Sequence, residues 1–127
     1  MKQVVLSINA LRAMNYLLQT VITPKHSIVL VHDAMEGMHV LRNKTSVDVV
    51  IIDLDYDTQD NLELIHYLKS SRLYSACKVI VLCSAVNMTL SETDKNNIDR
   101  FFSKPFGPVQ LIDYINTLSM QKSSIRS

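Results

Sequence analysis

Asp48-Val49-Val50-Ile51-Ile52-Asp53-Leu54 decides the reading of this chain. It is a short run of β-branched residues closed by an acid. Such a run has no polar side to give to water, so it suits a central strand covered on both faces. Asp53 then stands at the strand's carboxyl end. Comparable runs lie at residues 4–8, 27–31 and 78–83, with a weaker one at 100–102, and the central run extends over 47–52.

Apolar residues at helical spacing fill the intervals. They are Leu11, Met14, Leu18 and Val21; Ala34, Met38 and Leu41; Leu62, Ile65 and Leu68; and Ile112, Ile115 and Leu118. Asn9 is a candidate cap for the first helix, and Thr89 with Glu92 has capping-box spacing before a short polar helix. Pro108 suits the first turn of the last. Five strand–helix units in series predict an α/β, flavodoxin-like, doubly wound parallel sheet. Right-handed crossovers make the order 2-1-3-4-5 the economical one, with helices on both faces.

The 127 residues fit one domain, read as residues 1–120 with a polar tail at 121–127 that should fray, and 47% hydrophobic residues can fill its core. A formal net charge of +1, scattered Lys and Arg and few aromatics give nucleic acid no footprint. No run approaches the length of a membrane span, so neither nucleic acid nor a membrane is expected as a partner. Cys77 and Cys83 read as free thiols of a cytoplasmic protein. The histidines (His26, His32, His39, His66) lack zinc spacing and read as surface residues. Only Gly37 and Gly107 are present, so no glycine-rich phosphate loop follows the first strand, which argues against a nucleotide- or flavin-binding enzyme.

In an open parallel sheet the site lies beyond the carboxyl ends of the strands. Reading there gives Ile8 and Asn9, then Asp53, then Ser84 and Ala85, then Lys104-Pro105-Phe106. An acid, a hydroxyl and a lysine thus meet at one edge. A carboxylate can attack phosphorus to form an acyl phosphate, and such transfer needs cations and donors on the phosphoryl oxygens. Lys104 offers the charge and Ser84 a hydrogen bond.

With these residues in order, the chain resembles the receiver domain of bacterial response regulators over nearly its whole length. The third-strand motif is matched without gaps by residues 48–54, followed by Asp60-Asn61-Leu62-Glu63-Leu64. The resemblance implies that Asp53 accepts the phosphoryl group and Ser84 senses it. It implies that Lys104, before a cis Pro105, holds a phosphoryl oxygen, and that Phe101 is the aromatic switch. It implies a signalling domain rather than an enzyme. The implied partner is a histidine kinase or other signalling protein. The face of the fourth helix, fifth strand and fifth helix is the implied contact surface, for a partner or for a second copy of the chain.

One departure matters. Receivers carry two acids after the first strand, which hold magnesium with the acceptor, and here those positions are Ile8 and Asn9. Losing two charges at about 4 Å, with an effective dielectric of about 20, removes several kcal/mol of attraction. The metal set left is Asp53, Asn9 and Asp55, so magnesium is expected to bind weakly. Asp55 and Asp57 are acids that could have migrated into the loop to compensate. An EF-hand starting at Asp53 fails, because Thr58 and Leu64 occupy its glycine and glutamate positions. Asn61 replaces a family glycine and is expected to tolerate left-handed backbone. Two functions follow: a receiver phosphorylated at Asp53, or a phosphorylation-independent pseudo-receiver acting as a scaffold or binding module.

Overall fold

The computed structural model describes residues 2–43, 46–84 and 90–126, with side chains described through residue 120. Its elements alternate throughout: β1 (Val4–Ile8), α1 (Arg12–Ile22), β2 (Ser27–Val31), α2 (Ala34–Asn43), β3 (Val49–Asp53), α3 (Thr58–Ser70), β4 (Lys78–Ser84), α4 (Glu92–Asn96), β5 (Arg100–Lys104) and α5 (Pro108–Arg126). All strand pairings are parallel, in the order β2-β1-β3-β4-β5. The predicted sheet is therefore the observed one.

Every residue of β3 is buried, as expected of a strand covered on both sides. Side chains alternate between the faces. Val49, Ile51, Ile80, Leu82 and Phe102 pack with Leu18, Ile22, Leu111 and Ile115 of α1 and α5. Leu6, Ile8, Val50, Ile52, Val81 and Cys83 pack with Leu41, Leu64, Ile65 and Leu68 of α2 and α3.

Several local expectations need correcting. The buried stripe of α1 is Asn15, Leu18 and Ile22, while Leu11 is exposed. The stripe turns because Asn15 has polar partners beneath it. Its Oδ1 accepts the Ser7 hydroxyl at 2.8 Å, and its Nδ2 donates to the carbonyls of Val31 and Asn9 at 3.1 and 3.3 Å. Asn9 does not cap α1. Its Oδ1 accepts the Leu11 N–H at 2.9 Å, turning the chain out of β1 before the helix starts.

Thr89 lies outside the described residues. The cap of α4 is Ser91, whose Oγ accepts the Asp94 N–H at 3.1 Å. Pro108 does open α5, and α5 carries the backbone of residues 121–126 as helix. The Lys104–Pro105 bond is cis.

His26 is buried rather than on the surface. Its Nδ1 accepts the Gln3 N–H at 2.9 Å, which leaves Nε2 to donate to Asn116 Oδ1 at 2.7 Å. No described helix is long and apolar enough to cross a membrane.

Candidate functional site

Strand phase assembles the site. Val49 and Ile51 face the α1/α5 core, so Asp53 continues that row; Leu82 leads likewise to Ser84, and Phe102 to Lys104. Asp53 pairs in register with Leu82, and Ser84 with Lys104. Asn9 follows Ile8, whose partner is Ile52, and so comes opposite Asp53.

The Asp53 side chain is fully buried, 0% exposed, and its carboxylate accepts from three donors among the described residues. Oδ2 accepts the Lys104 ammonium at 2.5 Å and Asn9 Nδ2 at 3.0 Å, while Oδ1 accepts the Asp55 N–H at 2.9 Å. Charge-assisted bonds of this kind offset the cost of burying a carboxylate. At about 4 Å and an effective dielectric of about 20, one such pair is worth about 4 kcal/mol before desolvation is subtracted.

Asp55 shares the lysine. Its Oδ2 lies 3.0 Å from Lys104 Nζ and accepts the Ser84 hydroxyl at 2.8 Å. Its Oδ1 accepts the Ser84 N–H at 3.0 Å and the Cys83 thiol at 3.3 Å. Burial pulls the Lys104 pKa down, but the hydrogen bonds and charges of Asp53 and Asp55 outweigh it, and the net shift is upward. Burial, with the bond to Asp55 and the nearby carboxylate charges, pushes the Cys83 thiol up to about 11.

Two neighbours have parts the sequence does not announce. Asn61 lies inside α3 and is not in left-handed backbone; Asp57, at φ 49°, takes that conformation. The Asn61 Nδ2 donates to the carbonyls of Asp53 and Tyr56 at 3.2 and 3.0 Å, tying α3 to the end of β3. Its Oδ1 is buried without a partner. Cys83 is the other, and its signal was positional: it directly precedes Ser84 in the strand.

Of the two acids that could have moved inward, Asp57 stays exposed and Asp55 turns in. Phe101 is half-buried against the α2/α3 core, as are Leu90 and Ile98. Tyr114 is half-buried too, in contact with Phe102 and under the Arg100 guanidinium at 5.4 Å from its ring centre, whereas Asp113 is open to solvent.

The donor set does not fit a divalent cation. The Asn9 amide presents its N–H to Asp53 and its oxygen to Leu11, and the Asp55 oxygens are taken up by Ser84, Cys83 and Lys104. Ile8 turns away into the α2/α3 core. Among the described residues, no three His, Cys, Asp or Glu side chains are placed to share a metal ion.

A parallel sheet of this order, with a buried acid, a lysine and a hydroxyl at its carboxyl edge, defines a receiver-type signalling domain. Residues 5–116 match the response regulator receiver domain family, and the chain belongs to it. It covers 98% of itself and 99% of the signal receiver domain of an HD domain-containing protein from Pseudomonas fluorescens, at 18% identity and a TM-score of 0.79. A chemotaxis response regulator of Vibrio cholerae is similar at 14% identity and a TM-score of 0.75, over 93% of this chain and 99% of that one. An adenylate cyclase from Rhodopirellula baltica gives 12% identity and a TM-score of 0.82, over 99% of this chain and 93% of that one. At these identities the likeness is one of fold. No curated protein matches the chain. The domain is a response regulator receiver of the two-component type; such domains are generally signalling modules rather than enzymes, and typically bind magnesium at their acidic site.

Proposed function

We propose that this receiver signals through protein contact, with Asp53 as its phosphoryl acceptor and Ser84 and Lys104 as the groups that read the acceptor's state. The observation that carries this is the Lys104 ammonium on Asp53 Oδ2, at 2.5 Å, beside a hydroxyl on the adjoining strand. In the transfer, an Asp53 oxygen attacks phosphorus and the new O–P bond forms. The P–N bond to the donor's imidazole breaks, and its electron pair stays on nitrogen. Lys104 neutralises phosphoryl oxygen as charge spreads over it. The donor in this reading is a histidine kinase.

A second reading is favoured by a separate observation. Asp53 is wholly enclosed, and Ile8 and Asn9 supply no carboxylate beside it. In that reading the domain is a phosphorylation-independent scaffold, contacting its partner or a second copy through α4, β5 and α5. Both readings support a mobile contact face: α4 has five residues and buries none of them, and Phe101 lines a cleft with Lys95 of α4.

The experiment is incubation with phosphoramidate and magnesium, followed by mass spectrometry of the Asp53 peptide. An adduct on Asp53 that disappears in Asp53→Asn supports the first reading. Its absence over hours, with the fold intact, leaves the scaffold.

A further inference from the structure

Ser84 and Lys104 aim three donors at one place beside Asp53: the Ser84 N–H, the Ser84 hydroxyl and the Lys104 ammonium. Convergent donors with a positive charge make a receptor for an oxyanion. Here the chain fills that receptor itself. Asp55 offers about four acceptor positions. Ser84 N–H and Cys83 S–H occupy Oδ1, at 3.0 and 3.3 Å, and Ser84 O–H and Lys104 occupy Oδ2, at 2.8 and 3.0 Å.

The placement is built into the register. Asp55 lies two residues past Asp53, and Ser84 lies two past Leu82, the partner of Asp53. The Leu54 N–H donates to the Leu82 carbonyl at 2.9 Å, which carries the pairing beyond the end of β3. Asp55 is therefore delivered to Ser84 by the sheet and not by a wandering loop.

We propose that Asp55 is a resident anion: it holds Ser84 and Lys104 in their liganded arrangement while Asp53 carries no phosphoryl group, and it occupies the oxyanion site that such a group would use. The proposal rests on the reading of Asp53 as acceptor only for the identity of the competing anion. The two anions exclude each other. Asp53 and Asp55 already share one ammonium, and a phosphoryl group on Asp53 would bring further negative charge to the same donors. Asp55 must then swing out before or during transfer. The native protein sits in the liganded state by default, and loss of the Asp55 carboxylate opens a site for a small tetrahedral oxyanion.

The test uses the full chain, labelled with ¹⁵N, as wild type, Asp55→Ala and Asp55→Asn; the last keeps the shape and removes the charge. Inorganic phosphate is the equilibrium probe, and phosphoramidate is the labelling reagent. The Ser84 amide resonance is expected to move in both variants. Phosphate should return it toward its wild-type position in Asp55→Ala and leave the wild type unmoved. Phosphoramidate should label Asp53 in Asp55→Ala about tenfold faster than in the wild type or better. In this reaction the P–N bond breaks and ammonia leaves, taking its proton from solvent.

A Ser84 resonance that is the same in all three proteins, without response to phosphate, overturns the proposal. So does equal, measurable labelling of wild type and Asp55→Ala. If Ser84 responds as expected but no protein is labelled at Asp53, the resident anion stands and Asp53 is not the acceptor.

Discussion

The carboxyl ends of β5 and β1 flank the same buried acid and treat it in opposite ways. At the end of β5, Lys104 keeps a full charge against Asp53 and Asp55. At the end of β1, charge has given way to packing: Ile8 is 1% exposed in the α2/α3 core, and only the neutral Asn9 amide reaches Asp53. One side of the site is held by electrostatics, and the other is now part of the hydrophobic core. The lesson is that the absent acid pair is not a hole awaiting repair. Its place has been taken by residues that the rest of the fold accommodates.

The largest expected effect comes from breaking the charged end. Lys104→Ala leaves Asp53 and Asp55 facing each other without their shared cation, and Asp53 stays buried. Removing one partner from a buried pair typically costs about 3–5 kcal/mol. Urea denaturation at pH 7 should show a loss in that range. A loss under about 1 kcal/mol would mean that the pair is as weakly coupled as a surface salt bridge. The alkaline limb follows from the raised Lys104 pKa. The stabilisation is fully present below the ordinary lysine value of 10.5 and is lost as pH rises through the higher folded value.

The packed end breaks differently. Ile8→Asp inserts a carboxylate beside Gly37 into the apolar α2/α3 core, at an expected cost of about 3 kcal/mol. Asn9→Asp is the milder change, because that position already points at Asp53. Isothermal titration should show magnesium binding improve for Asn9→Asp alone, with little further gain from Ile8→Asp. A gain confined to the double variant would show that the β1 end can still be rebuilt as an acid pair.

Much of this is legible in the sequence. The Val- and Ile-rich run ending in Asp53 suited a strand covered on both faces, and the alternation of such runs with helical patterns pointed to a parallel sheet. The row of strand ends then brought Asp53, Ser84 and Lys104 together, because parallel strands all present the same end to one edge. What could not be read were contacts set by side-chain direction. Asn15 looks like a polar interruption of a helix stripe until Ser7 and the ends of β1 and β2 are seen to satisfy it. Asn61 looks like a substitute for a flexible glycine, but it is helical and used for its amide. Asp55 was visible, with Asp57, as an acid that could have migrated into the loop, but nothing in the sequence said which of the two turns inward. The capture of Asp55 by Ser84 depends on pairing that continues past the strand, which no spacing rule announces.

A smaller effect sharpens the packed end by coupling two positions. A Cβ on Gly37 would lie 2.6 Å from Ile8 Cδ1 and 3.2 Å from its Cγ1, so this glycine gives the isoleucine its room. Gly37→Ala gains about 1 kcal/mol of helix propensity and pays more than that in overlap, for a net loss of about 1 kcal/mol. Ile8→Val removes the offending methyl. In that background Gly37→Ala should become neutral or stabilising, giving an interaction energy of about 1 kcal/mol or more in a double-mutant cycle. Strict additivity would mean that Ile8 and Gly37 do not constrain each other.

The smallest effect concerns the thiol behind the charged end. Cys83 is buried and donates to Asp55 Oδ1, so ionising it would both desolvate a thiolate and set it against a carboxylate. Its pKa is accordingly raised from 9.0 to about 11. Because the folded state holds this proton more tightly than the unfolded chain, the contribution is complete below pH 9.0 and is lost progressively up to about 11. The loss should be a few tenths of a kcal/mol by pH 9 and on the order of 1 by pH 10. Comparing wild type with Cys83→Ala across this range isolates the term, since Lys104 titrates in both. The same shift predicts that iodoacetamide, which attacks the thiolate, modifies Cys83 in the native protein far more slowly at pH 8.5 than in the protein unfolded in urea. Asp55→Asn removes a charge that favours the neutral thiol, so it should bring the Cys83 pKa down and speed the native reaction. An unchanged rate in Asp55→Asn would show that burial alone protects the thiol, and that the link between Cys83 and the charged end is weak.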